Sequence, residues 1–156
     1  MKKKILIITL VILFIIIGCV FFILSRKSNK ELDMHSFIKI VEKNGFKIQD
    51  VKEQFSEEIV KEAKVAYNNN YQIEFLVFND VNSAKNSFGF NKQSFELDES
   101  EVINNEDISK DKYSIYYKLT KNKYMYVKRV DNKLLYFNVD GSYKEDLESI
   151  LKKLNF

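Results

Sequence analysis

The sequence predicts an α+β protein: an N-terminal transmembrane helix, then one two-layer domain with a mostly antiparallel sheet and helices packed on one face. Three observations predict it. Residues 5–24 form an apolar run of about twenty residues without a charge. From residue 34 onward, stretches with helical spacing of apolar residues interleave with stretches that alternate. The last third holds three strand-like stretches separated by short polar breaks, which suits antiparallel hairpins.

The run at 5–24 follows a basic tail at 1–4 and ends at Ser25-Arg26-Lys27. At 1.5 Å per residue it is about 30 Å long as a helix, the thickness of a bilayer's hydrocarbon core. The four residues Ile16-Ile17-Gly18-Cys19 resemble a bacterial lipobox, which makes Cys19 the candidate lipidation residue of a lipoprotein signal ending before it. Val20-Phe21-Phe22-Ile23-Leu24 continues the apolar run past that cysteine, and free cysteine is an ordinary small apolar residue. The sequence therefore favours an uncleaved single-pass anchor over the lipoprotein. Basic residues flank both ends, so the charge count barely orients the span. A short basic tail before a first apolar segment is the usual export signal, which places the domain outside the cell membrane.

Residues 25–33 read as a polar tether and 34–156 as the extracytoplasmic domain. Met34, Phe37, Ile38 and Val41 share one helix face, with Asp33 as N-cap and Gly45 just past the end. Residues 46–51 alternate like a short strand. Ser56-Glu57-Glu58 opens one or two helical turns, and 63–67 with 71–78 then form a hairpin around three asparagines, which tolerate the left-handed conformation of such turns. Asp80 caps a helix to about Phe95. Residues 96–111 read as an acidic loop with a short strand at Val102-Ile103. Strands follow at 112–120, 124–131 and 133–140, and Gly141 opens a last helix with Leu147, Ile150, Leu151 and Leu154 on its apolar stripe.

Composition excludes several function classes. The net charge is +3, yet five basic residues flank the apolar run, leaving the domain near −2. That is not the footprint of a nucleic-acid binder. One cysteine and one histidine, His35, provide neither a disulfide framework nor a His-based metal site. The acidic stretch at 96–106 lacks the spaced ligands of a calcium loop. No phosphate loop, nucleophile elbow or metalloprotease motif is present. No cofactor is expected, and no catalytic residue.

Alternation along the late strands assigns Tyr113, Ile115, Tyr117, Leu119, Met125, Val127, Leu135, Phe137 and Val139 to the core. It assigns Tyr116, Tyr124, Tyr126 and Tyr136 to the opposite face, beside Lys128, Leu76 and Phe78. Tyrosines gathered on one face make a candidate contact surface for a protein or cell-envelope partner, since each offers rigid apolar area and a hydroxyl. The segments YQIEFLVFND, followed by Ala84, and DNKLLYFNVDGSYKEDLESILKKLNF resemble small uncharacterised lipoproteins and membrane-anchored proteins of low-GC Gram-positive bacteria. That resemblance implies a bacterial anchor-plus-domain organisation and no activity. The expected function is a non-enzymatic, membrane-tethered binding module, with an accessory subunit of a membrane complex as the alternative.

Overall fold

Local capping starts the described chain. The Asp33 carboxylate accepts from the Ser36 N–H at 2.7 Å and opens α1 (Met34–Lys43). Gly45, at φ +85°, closes α1, and the Phe46 N–H returns to the Val41 carbonyl at 3.1 Å. The computed structural model describes residues Leu32–Phe156, which form one unit. The expected span at 5–24, Cys19 and nearly all of the 25–33 tether lie outside the described residues. Among those described, no helix is long and apolar enough to cross a membrane.

After α1 come β1 (Lys47–Asp50), a 3-10 turn at Lys52–Gln54, β2 (Val60–Tyr67), β3 (Gln72–Phe78) and α2 (Val81–Glu96). Then follow β4 (Val102–Ser109), β5 (Tyr113–Thr120), β6 (Lys123–Val130), β7 (Lys133–Asp140) and α3 (Lys144–Leu154). The seven strands form one antiparallel sheet in the order β1-β2-β3-β7-β6-β5-β4. Two meanders thus meet where β3 pairs with β7.

The α+β class and the antiparallel sheet agree with the sequence reading; the placement of helices on one face does not. α1 and α3 cover one face, where Phe37 stacks on Phe75 with ring centroids 4.9 Å apart. α2 covers the other, with Ala84, Phe88 and Phe95 over Leu76, Met125, Val127 and Leu134. The domain has three layers because central strands such as Ile73–Phe78 are apolar on both faces, and both faces must be buried.

One further expectation is corrected. The acidic stretch is no loop over 102–109: it is the edge strand β4, paired with β5 from Val102↔Thr120 to Ser109↔Ser114. Its side chains are almost all exposed, so no apolar alternation marks it, and main-chain pairing alone makes it a strand. Its charges suit an unpaired edge. Of the one or two turns expected from Ser56, the structure has one, in which the Ile59 and Val60 N–H groups both bond the Ser56 carbonyl at 3.0 Å.

Candidate functional site

The four candidate tyrosines do not share a face. β5 and β6 are joined by a two-residue turn, which pairs Leu119 with Tyr124 and Tyr117 with Tyr126. Directly paired residues point to the same side, so Tyr124 and Tyr126 join Tyr117, Leu119, Phe137 and Val139 beneath α1 and α3. Their rings lie 5.2 and 5.0 Å from that of Phe137. Tyr116 and Tyr136 lie on the opposite face with Met125 and Val127, and both flank the Phe95 ring of α2. Tyr116, Tyr124 and Tyr126 are buried and Tyr136 is half-buried. Burial pushes the Tyr124 and Tyr126 hydroxyls far above their ordinary range, followed by Glu148 for Tyr124 and by Tyr124 itself for Tyr126. The four rings are core, and the single tyrosine surface read from alternation is corrected. Met125 and Val127 likewise move to the α2 face.

A different site emerges where the two meanders meet. The β3–β7 ladder runs from Val77↔Lys133 to Glu74↔Tyr136 and stops. Beyond that rung β3 ends in its hairpin, whereas β7 continues to Asp140 with β6 as its only strand partner. Between them opens a cleft of about 760 Å³. The Asn68–Asn70 turn forms one wall: the Asn68 side-chain oxygen accepts from the N–H groups of Asn70 and Tyr71 at 2.8 and 2.9 Å. Tyr71, wedged between Phe46 and Tyr143 at 5.5 and 5.0 Å, backs the cleft on the α1 side.

Carboxamides dominate the lining. Gln49, Gln72 and Asn138 lie on the sheet face that α2 covers further along, while Asn69, Asn70 and Asn122 project from turns. Tyr67 adds a ring that is 37% exposed. Lys123 and Asp140 are the charged lining residues, and both are engaged. Lys123 donates to Asp98 at 2.7 Å, holding that carboxyl well below the usual carboxylate range with help from Ser100. Asp140 accepts from the Ser142 N–H and hydroxyl at 2.9 and 2.6 Å. At the apex, burial raises the Glu74 carboxyl above its ordinary value, opposed by the Gln72 amide. The Tyr136 hydroxyl is raised first by burial and next by Glu74, while Asn138 hydrogen-bonds it. The cleft therefore presents neutral donors and acceptors and no unengaged charge.

A smaller cavity of about 390 Å³ lies under the start of α2, beside Arg129. Arg129 is only 1% exposed. Its guanidinium donates to the carbonyls of Lys110, Asp111, Lys112 and Asp131 and to the Ser114 hydroxyl, between 3.0 and 3.3 Å. These bonds tie the β4–β5 connection to the β6–β7 turn. At the far end of α2, buried Lys118 donates to the carbonyls of Phe95 and Asp98, neutralising the negative end of the helix dipole. Sequence reasoning singled out neither cation; a charged residue in an otherwise apolar alternation was the available signal.

His35 is exposed on α1. Among the described residues no group of three or more His, Cys, Asp or Glu side chains could hold a metal ion. Sequence comparison finds no matching family model and no matching curated protein. One similar solved structure is a GTP binding regulator from Thermotoga maritima, 11% identical, with a TM-score of 0.45 over 78% of this chain and 84% of that one. A likeness that loose transfers nothing to this chain.

Proposed function

We propose that this chain is a membrane-tethered extracytoplasmic binding domain without catalytic activity, and that its ligand occupies the cleft between β3 and β7. The observation that carries this reading is the end of the β3–β7 ladder at Glu74↔Tyr136 inside an otherwise continuous sheet. It leaves a polar, solvent-open site of a size within the ordinary range for ligands, about 300–1,000 Å³. The absence of catalysis rests on chemistry: the charged lining residues Lys123 and Asp140 are engaged, and Glu74 at the apex faces a tyrosine rather than a second acid or a base.

Attachment through residues 5–24 rests on their length and apolarity. The direction of α1 is compatible with a tether. Phe37 sits on Phe75 in mid-strand and Phe46 sits on Tyr71 beside the cleft, so the chain advances toward the cleft as it leaves residue 32.

Mass spectrometry of the mature N-terminus, combined with protease accessibility on intact cells, tests the attachment. An intact Met1 terminus and a digestible domain are expected. A diacylated Cys19 terminus would replace the span by a lipid, and a protected domain would overturn the extracytoplasmic placement. Filling the cleft with Asn138→Trp in the full chain tests the site, because function in cells should fall while the melting temperature is kept.

A further inference from the structure

We infer that the cleft takes a neutral saccharide bearing acetamido groups, such as an N-acetylated glycan strand. This rests on the reading of the cleft as a ligand site and adds the ligand's chemistry. A carboxamide carries an acceptor oxygen and two donor hydrogens. It can therefore close a two-point pair with an acetamide or bridge neighbouring hydroxyls. Gln49 of β1, Gln72 of β3 and Asn138 of β7 offer such groups from one sheet face, and Asn69, Asn70 and Asn122 offer them from the rim. Gln72 spends one donor on Glu74 at 3.2 Å and Asn138 bonds Tyr136, which leaves each with further donor and acceptor capacity, and each of these six side chains is exposed to solvent. The Tyr67 ring supplies an apolar face with a polar tip, suited to the C–H face of a sugar ring.

The alternatives fit less well. An anionic ligand needs an unengaged cation, and Lys123 is committed to Asp98 at 2.7 Å. A peptide gains its specificity from pockets for alternate side chains. The apolar lining here amounts to Val65, Val139 and the two tyrosines, without a separate apolar pocket. A sugar ring needs no such pocket, and the unpaired ends of β3 and β7 add main-chain groups for its hydroxyls.

The test is isothermal titration of the full chain in a detergent without a sugar headgroup. The probes are chitotetraose, cellotetraose, a neutral tetrapeptide and a polyglycerol phosphate. Chitotetraose should bind at least about tenfold more tightly than cellotetraose, with little salt dependence. Tyr67→Ala and Asn138→Leu should each weaken it about tenfold, at unchanged melting temperature. Preference for the peptide or the phosphate polymer, abolished by Asn138→Trp, would overturn the saccharide inference and leave the cleft reading standing. Chitotetraose binding that survives Asn138→Trp, or no binding by any probe, would overturn both.

Discussion

Glu74 and Tyr136 face each other on the last rung that joins β3 to β7, and past them the sheet splits. A half-buried carboxyl at this apex has a raised affinity for its proton, chiefly through burial. Because the folded-state value lies above the ordinary 4.5, the protonated form is the better accommodated one. The associated stability is fully present below that ordinary value and is lost as pH rises through the folded-state value. Glu74→Gln should therefore raise the melting temperature at pH 7. The gain should vanish once pH falls below about 4.5. A pH-independent gain would mean that titration of Glu74 is not its origin.

Replacing Arg129 by Met removes the buried donor shared by four carbonyls and unties the β4–β5 connection from the β6–β7 turn. The expected loss is about 1.5–3 kcal/mol, seen as a lower urea midpoint with an unchanged slope. Lys118→Met should act locally, loosening the end of α2. Faster amide exchange confined to the last turn of α2 and the following loop would report it.

Tyr124 is core, so Tyr124→Ser should cost about 3–5 kcal/mol. A contact-surface tyrosine would instead lose binding at constant stability. Tyr124→Phe keeps the ring against Phe137 and should be nearly neutral by calorimetry, since packing rather than the hydroxyl is what the site uses.

Asp131 opens the β6–β7 turn at φ +49°. Asp131→Gly should leave stability unchanged or slightly raised. Asp131→Val, β-branched in the left-handed region, should cost about 1–2 kcal/mol in denaturant titration.

Much of this was legible in the residues. The Asp33 and Asp80 caps, the apolar stripe of α1 and the polar pairs at 121–122 and 131–132 marked helices and hairpins, because local chemistry determines those features. The faces were also within reach. A two-residue turn makes Leu119 and Tyr124 partners, so odd positions of β5 share a side with even positions of β6. Counting alternation along each strand separately missed that coupling and assembled a tyrosine surface that pairing dissolves.

Sequence alone determined the apolar run at 5–24, the α+β class, the antiparallel late strands and the lack of a metal or nucleophile motif, all of which follow from composition and short-range periodicity. Tertiary structure decided the remainder. β4 exists because β5 offers it a main-chain edge, although its own side chains face water. Helices occupy both faces because the central strands are apolar on both. The cleft exists because two meanders, joined through α2, pair over only four rungs. No residue of the cleft encodes that length by itself; it follows from where the Asn68–Asn70 turn ends one meander and how far β7 runs beyond it.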